Sequence, residues 1–279
     1  MKQDRNGLFY FIKKGGNIMN IDKFTITAYD QLTGFDRTNG SLDMILDELN
    51  DFTLSHEEEK TDIAGKGGRT IGSLKKNKKV TGKGTNGMLS GGALAAMLGA
   101  DIEDGEFTIR YTDAIVVNSN SGVTTETATG TVGNEIGTIY VRDENKAYIS
   151  GGKKLTQTSS APETGEFSYD PDTKTITFYD GDVADGTEVI AFYDTTVTGK
   201  KISNDANNYS KTLQVFIDVT CQDGCDNLFH GQFIISRADF NGTFDLQGGS
   251  DPSTLGFEFT SLPNLCTGKS DLWDFIVFD

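Results

Sequence analysis

The chain has 279 residues, of which 36% are hydrophobic and 24% are charged, and its formal net charge is −16 at pH 7. This composition is typical of a globular protein with a buried core and excludes a largely disordered chain. The acidity argues against tight nucleic-acid binding, which normally needs a basic surface. No apolar run approaches the roughly 20 residues of a membrane-spanning helix, so we expect no membrane association.

The first 18 residues precede a second methionine, Met19. The residues Lys13-Lys14-Gly15-Gly16 can be encoded by a purine-rich string that resembles a bacterial ribosome-binding site. We therefore expect residues 1–18 to be either an upstream gene-call extension or a flexible arm. A gene-call extension would indicate a bacterium or a bacterial virus as the source. A single β domain is expected over residues 19–279.

The first predicted strand after Met19 is at residues 24–29. Apolar and polar side chains alternate there, which indicates a half-buried strand. Residues 41–50 have the pattern of a short helix with Ser41 as its cap. A strand through residues 51–56 is expected to follow, with Phe52 and Leu54 on one face.

Residues 57–79 differ in charge from the rest of the chain. Seven basic and four acidic residues give this segment a charge of +3, which leaves −19 for the remainder. Such a segment cannot form a core, so it predicts a long solvated loop. Long loops often bind partners, and copies of the chain could pair head to tail because one end of this loop is acidic and the other basic. The candidate residues of this inter-subunit loop are Glu57, Glu58, Glu59, Lys60, Lys66, Arg69, Lys75, Lys76, Lys78 and Lys79. A loop that is merely solvated is the alternative.

Residues 82–87 fit the pattern Gly-x-Gly-x-x-Gly of dinucleotide-binding proteins. The context argues against a nucleotide site, because no apolar strand precedes the motif and no alternating series of strands and helices follows it. A glycine-rich turn is the simpler interpretation. The clearest helix follows at residues 90–98, where Ser90 can cap its start and Gly99 can end it.

From residue 105 onward the sequence predicts strands separated by turn signals such as Asp180-Gly181 and Asn241-Gly242. Many short strands of this kind indicate a β-sandwich or barrel. The predicted strands are Phe107–Val117, Gly137–Arg142, Gly165–Tyr169, Thr175–Tyr179, Glu188–Thr195, Leu213–Thr220, Phe229–Ile235, Thr243–Leu246, Phe257–Thr260 and Trp273–Phe278.

The sequence has few residues that could carry catalysis or bind a metal. Three cysteines are too few for a disulfide framework or a zinc site. The two histidines, His56 and His230, are best interpreted as structural, and the acidic turns lack the spacing of a calcium loop. We therefore expect no enzymatic activity, no metal and no cofactor.

Three segments together resemble the tail tube (major tail) proteins of tailed bacteriophages, particularly those that infect low-GC Gram-positive bacteria. They are the charged segment at residues 59–78, the hairpin-like region at residues 165–193 that begins Gly-Glu-Phe-Ser-Tyr, and residues 228–246, which begin Leu-Phe-His-Gly-Gln-Phe-Ile-Ile. The resemblance extends from about Met19 to the C-terminus.

This resemblance implies a mainly β protein of the tail-tube type, with one short flanking helix at about residues 90–98 and the long charged loop at about residues 57–79. It implies homohexameric rings that stack into a tube in the virion tail and contact other tail proteins, namely a sheath or terminator and a baseplate. The subunits would assemble in the host cytoplasm, and genomic DNA would pass through the tube without specific binding. Because an acidic lumen repels phosphates, we expect acids on or beside predicted strands to line it, with Asp218, Asp239 and Asp245 as candidates.

Two other interpretations stay open. The chain could be another virion structural protein, such as a capsid decoration or baseplate protein. It could also be a ligand-binding or carbohydrate-binding β-sandwich module, which would need an exposed aromatic platform. The single tryptophan, Trp273, lies in an apolar segment and is expected to be in the core.

Overall fold

The computed structural model describes residues 2–3, 9–10, 23–143, 146–148, 152–244, 253–264, 268 and 270–278. Within these residues the regular structure consists of strands and one short helix. The elements are β1 (Lys2–Gln3), β2 (Phe9–Tyr10), β3 (Phe24–Asp36), β4 (Leu42–Leu46), β5 (Leu49–Ala64), β6 (Thr70–Asn86), α1 (Gly91–Leu98), β7 (Ile102–Val116), β8 (Ser121–Val123), β9 (Thr138–Val141), β10 (Lys154–Thr158), β11 (Glu166–Asp170), β12 (Thr175–Phe178), β13 (Glu188–Ile202), β14 (Thr212–Asp223), β15 (Leu228–Phe240), β16 (Leu255–Ser261) and β17 (Asp274–Phe278).

The chain forms two compact units. The first unit consists of Met1–Ile102 and Ile202–Asp279, and the second unit, Glu103–Lys201, is inserted between these two parts. The sequence predicts one β domain over residues 19–279 and does not distinguish the two units. That they act together as a single tail-tube-like domain stays a prediction. Among the described residues, no helix has the length and apolar character needed to cross a bilayer.

The first unit is an antiparallel sheet in the order β4-β3-β14-β15-β16-β6-β5, with β17 paired to β15. Strict alternation on β14 buries Val215, Ile217 and Val219 on one face, as the period of two requires. The sheet curls so that the ring of Tyr29 on β3 lies 4.8 Å, centroid to centroid, from the ring of Phe52 on β5. The result is a half-barrel around one hydrophobic core.

Helix α1 packs against this core through Ala93, Ala96 and Met97. The predicted caps are confirmed: the Ser90 side chain accepts a hydrogen bond from the backbone N–H of Ala93, and Gly99 ends the helix in the left-handed conformation at φ 65°. The αL conformation is open to glycine without steric cost, which explains why the helix ends there.

The second unit is a sheet in the order β7-β13-β9-β10-β11-β12-β8 with its own hydrophobic core. Tyr193 of β13 is buried there, and its hydroxyl donates to Asp113 Oδ2 at 3.0 Å and accepts from the N–H of Glu126 at 3.1 Å. Burial and the contact with Asp113 raise the pKa of Tyr193. The network holds in place a segment rich in Ser and Thr whose structure the sequence does not predict.

The prediction of a mainly β fold with one short helix is confirmed, and so are nine of the ten strands predicted after residue 105, although several are longer than expected. The tenth, Thr243–Leu246, begins with two residues outside any strand, and its remaining residues lie outside the described part of the chain. Three local predictions before residue 105 are wrong.

The helix predicted over residues 41–50 is β4 followed by the start of β5. Met44 and Leu46 alternate into the core while β4 pairs with β3, so tertiary packing overrides the local helical pattern. The glycine-rich turn predicted at residues 82–87 is mostly the end of β6. A Cβ atom on Gly82 would lie 2.1 Å from Cζ of Phe259, so glycine is present because an aromatic ring of β16 packs on the backbone.

The long loop predicted over residues 57–79 is wrong in its backbone conformation. β5 and β6 pair through the segment as far as Ala64 and Thr70, which leaves only the turn at residues 65–69. Opposite charges face each other at Glu57↔Lys79 and Glu59↔Lys76, and such cross-strand pairs favour a hairpin over an irregular loop. The predicted solvent exposure is confirmed, because the segment has no buried residue.

Candidate assembly interface

The β5–β6 hairpin extends beyond the sheet to which it belongs. Val80–Asn86 of β6 pairs with β5 on one side and with β16 on the other. From Lys79 back to Thr70, β6 pairs with β5 alone among the described strands. We call residues 57–79 the arm. Its outer edge leaves backbone N–H and C=O groups unpaired within the described chain, and such an edge can accept a strand from another chain.

The arm aligns its acidic end with its own basic end. Residues that face each other near its base carry opposite charges. Lys60 then faces Lys75, and in the pairs nearer the tip at most one residue is charged. The pairs are Glu57↔Lys79, Glu59↔Lys76, Lys60↔Lys75, Thr61↔Leu74, Asp62↔Ser73 and Ile63↔Gly72.

Glu58 is the centre of the ion pairs in the arm. The ammonium nitrogen of Lys75 lies 3.0 Å from one of its carboxylate oxygens, and that of Lys78 lies 3.9 Å from the other. The hydrogen bond from Lys75 lowers the pKa of Glu58 below its usual value. Nearby, Asn77 Nδ2 donates to Glu59 Oε2 at 2.7 Å. Part of the complementary charge is thus used within one chain, and the remaining groups of the arm are available for a contact between copies.

Other groups of the arm have no such partner. Lys66, Arg69, Lys76 and Lys79 form no ion pair with any residue that the structure describes, whereas Lys60 lies 3.7 Å from Asp62. Three apolar side chains near the tip are exposed, namely Ile63, Ile71 and Leu74. The arm therefore offers cations, apolar side chains and an open strand edge at the same place.

The two faces of the first unit's sheet differ in composition. One face contains the core, and the residues that alternate with the core positions form the opposite face, which we call the polar face. On β14 this alternation places Asp218 and Thr220 on the polar face between buried valine and isoleucine residues. The acidic residues on the polar face are Asp30, Asp51, Asp218, Asp239, Glu258 and Asp274. Lys83 of β6 lies opposite Glu258, and the acidic residues named here outnumber the basic ones, although apolar residues such as Phe216 and Ile234 lie on the same face.

Neighbouring polar side chains hold several of these carboxylates. Gln232 Nε2 donates to Asp218 Oδ1 at 2.7 Å across β14 and β15. The hydroxyl of Thr220 donates to Asp30 Oδ2 at 2.8 Å. Thr212 donates in the same way to the exposed Asp239, also at 2.8 Å. These amide and hydroxyl donors carry no charge, so their hydrogen bonds do not neutralise the carboxylates.

Of the three acids that the sequence analysis named as lumen candidates, two lie on the polar face and one lies outside the described residues. Asp218 and Asp239 lie on the same polar face of the sheet, on β14 and β15. Asp245 lies outside the described residues. Sequence reasoning did not find Asp30, Glu258 or Asp274. The alternation of polar and apolar residues along β3, β16 and β17 could have identified them once the strand pairing was known.

The aromatic platform required of a carbohydrate-binding module has one candidate in the second unit. A cavity of about 760 Å³ lies there, lined in part by Tyr140, Tyr148 and Phe192. Cations of the same chain already cover two of these rings: Lys154 Nζ lies 5.3 Å from the centroid of Tyr140, and the Arg142 guanidinium lies 5.5 Å from that of Tyr148. Lys154 also lines the cavity, so a neutral sugar that stacks on Tyr140 would compete with it, which disfavours this use of the cavity.

The histidines and the described cysteines lie on β5, β14, β15 and the turn between β14 and β15. His56 is exposed on β5, and His230 is on β15 with its ring 6.1 Å from that of Phe278. Cys221 is buried and Cys225 is exposed. Within the described part of the chain, no three His, Cys, Asp or Glu side chains come together in a metal-binding arrangement. Trp273, expected in the core, is 38% exposed and packs edge-on against Phe233.

Comparison with known protein families assigns the chain to one of them. The chain matches the model of the YomU/Tube protein family over residues 26–273, from within β3 to the residue before β17. The chain belongs to the YomU/Tube protein family. The match covers both units, so the inserted second unit lies within the family region. A search among curated proteins found no match.

Membership of the YomU/Tube family identifies the chain as a phage tube-type structural protein. A protein of this family assembles with itself and with other tail proteins, and its location is the virion tail. The resemblance to phage tube proteins seen in the sequence is therefore confirmed at the level of the family.

Proposed function

We propose that the protein is the subunit of a stacked-ring tail tube through which a phage delivers its DNA to a Gram-positive host. In this proposal six copies form a ring, rings stack into a tube, and a sheath or terminator and a baseplate bind the ends or the outside. The subunits assemble in the host cytoplasm before they join the virion. The polar face of the first unit's sheet is the observation that carries the proposal.

The polar face suits a DNA conduit for an electrostatic reason. Duplex DNA carries one negative charge per about 1.7 Å of its axis, so basic patches along its path would hold it through many phosphate contacts. An acidic surface repels the phosphates and lets DNA pass without pausing. Asp30, Asp218 and Asp239 supply such charge from three adjacent strands of one sheet. We propose that this face lines the lumen.

The arm has a separate role in the proposal. It projects from the sheet, keeps an open strand edge, and has cations that form no ion pair with the residues that the structure describes. The remainder of the chain has a net charge of −19, so a neighbouring copy offers complementary charge. We propose that the arm reaches a neighbouring subunit or ring and joins the copies.

Electron microscopy of the purified protein tests this function. We expect hollow tubes or six-membered rings in negative stain at high protein concentration. A dispersed monomer at the same concentration would argue against the tube. Attachment to a capsid lattice without tube formation would instead favour a capsid decoration protein. Omission of residues 1–18 in a parallel preparation controls for an effect of the N-terminal segment on assembly.

A further inference from the structure

The cavity of the second unit lies on the face of its sheet opposite the core. Its floor comes from three adjacent strands whose residues alternate between the core and the cavity. Tyr140 of β9 faces Ile190 of β13 on one side and Lys154 of β10 on the other. Phe192, two residues further along β13, packs edge-on against Tyr140 with the ring centroids 6.1 Å apart. The floor is therefore apolar and aromatic, with a lysine at one margin.

Hydrogen bonds hold one wall of the cavity in place. Tyr148, which follows β9, lines the cavity, and its hydroxyl donates to Glu188. The same carboxylate accepts a hydrogen bond of 2.7 Å from Arg142. Burial and the bond to Glu188 raise the pKa of Tyr148, so the side chain stays a neutral phenol at physiological pH. This aromatic wall is formed before any ligand arrives, as in most small-molecule sites.

The two charged side chains among the described lining residues are both cations, Arg110 and Lys154. The second unit around them is acidic, because eight basic and 17 acidic residues over Glu103–Lys201 give it a net charge of −9. Lys154 forms no ion pair with any residue that the structure describes. Arg110 is exposed and uses one nitrogen on Asp194, at 3.0 Å. Cations beside an aromatic floor in an acidic unit indicate a ligand that carries a negative charge.

The shape of the floor selects among anionic ligands. The planes of the Tyr140 and Phe192 rings are inclined by 78°, so the two rings form a step. A planar base needs a flat aromatic face on which to stack. A sugar ring is puckered and presents C–H groups in several directions, so it can contact one ring face and one ring edge together. The hydroxyl of Thr138 lines the same cavity and can form a hydrogen bond with a sugar hydroxyl.

We propose that the cavity binds an acidic saccharide unit, a sugar ring that carries a carboxylate or a phosphate. The C–H groups of the ring pack on Tyr140 and Phe192. The acidic group binds Lys154 and Arg110. A neutral sugar competes with Lys154 for the ring of Tyr140 and gains nothing in exchange, whereas an acidic sugar keeps this lysine as a partner. The flexible stem of the lysine lets its ammonium move from the ring to the acidic group.

Saturation-transfer NMR on the full-length protein tests the proposal with glucuronic acid, glucose 6-phosphate and glucose. We expect binding of at least one acidic sugar, and the comparison of the two identifies the acidic group as a carboxylate or a phosphate. Glucose should bind about tenfold more weakly or not at all, because it lacks the acidic group. Inorganic phosphate, added as a competitor, should displace the acidic sugar only at about tenfold higher concentration, because it has no ring to pack on the floor.

Two substitutions of exposed lysines locate the binding site. Lys154→Gln removes the cation at the margin of the floor and should weaken binding of the acidic sugar by about tenfold. Lys200→Gln is the matched control, since it removes the same charge from the same unit at a residue that pairs with Asp104 at 2.6 Å and does not line the cavity. It should bind like the parent protein, and thermal melts should show both variants folded.

Several results would overturn the proposal. One is the absence of saturation transfer to both acidic sugars, and another is equal binding of glucose. Equal competition by inorganic phosphate would mean an anion site with no place for a sugar. Equal weakening by the two lysine variants would mean that only the overall charge of the unit matters. None of these measurements requires an assembled tube, so each result leaves the proposed function as it stands.

Discussion

The two halves of the β5–β6 hairpin share the same strands and differ in almost every other respect. At the base, Val80, Gly82 and Gly84 are buried between β5 and β16, and the rings of Phe257 and Phe259 pack on the two glycines. In the arm, every residue is at least partly exposed, and the strands are held by each other and by surface ion pairs. One continuous hairpin can thus contribute to folding at one end and remain available for assembly at the other.

Removal of the arm gives the sharpest test of this division. A variant in which residues 58–78 are replaced by a two-residue Asn-Gly turn keeps the facing pair of Glu57 and Lys79. No core residue is lost, so the free energy of unfolding should stay within about 1 kcal/mol of the parent value. Assembly should be abolished. Thermal melts and negative-stain images measure the two effects, and a variant that still forms normal tubes would show that the arm is dispensable.

Two glycine substitutions on β6 test the same contrast through stability. Gly82→Ala would place its Cβ 2.1 Å from the ring of Phe259, and we expect overpacking to destabilise the protein by about 1–3 kcal/mol. Gly72→Ala in the arm meets only Ile63 Cδ1 at 3.9 Å and should leave stability unchanged or slightly raised. Chemical denaturation measures both variants. Equal destabilisation by the two would mean that the arm is packed as tightly as the base.

Charge reversal at the arm tip should weaken assembly and spare folding. In Lys66→Glu/Arg69→Glu, cations without a partner in the described chain become anions that face an acidic neighbour, and we expect the concentration needed for assembly to rise by about tenfold. Lys78→Gln is the control, because Lys78 is already directed at Glu58 within the arm. Sedimentation at several salt concentrations measures the change. Identical assembly of both variants would remove the electrostatic role proposed for the tip.

The smallest predicted effect is on the titration of Glu58. The contact with Lys75 lowers its pKa, so the carboxylate should titrate below the value of 4.5 that an unperturbed glutamate has. The linked contribution to stability is fully present above pH 4.5 and is lost as the pH falls through the lower folded-state pKa. Carbon-detected NMR of the side-chain carboxyl measures the midpoint, and Lys75→Gln should move it back upward. A midpoint that Lys75→Gln leaves unchanged would mean that the ion pair is absent in solution.

Local sequence patterns predicted the strands well where alternation was strict, as on β14, and predicted both caps of α1 from Ser90 and Gly99. They failed where distant contacts decide the structure. Residues 42–46 form a strand because they pair with β3. Gly82 fits the glycine pattern of a nucleotide-binding turn, but it is a strand residue against which the ring of the distant Phe259 packs. The pairing of Glu58 with Lys75 also depends on the register of the hairpin, which composition alone does not contain.

The candidate surfaces were predicted in part. The unusual charge of residues 57–79 located the arm, but the pairing of Glu58 with Lys75 and Lys78 across its two strands could not be predicted without the register. Asp218 lies on a predicted strand and Asp239 beside one, and the two share one face of the sheet. The other acids of that face come from strands whose order in the sheet only the structure defines.

A cryo-electron microscopy reconstruction of the assembled protein tests the central claim most directly. The account predicts a hollow tube whose inner wall is the polar face, with Asp218 and Asp239 directed into the lumen. A tube with that face buried or turned outward, or with a neutral or basic inner wall, would contradict it.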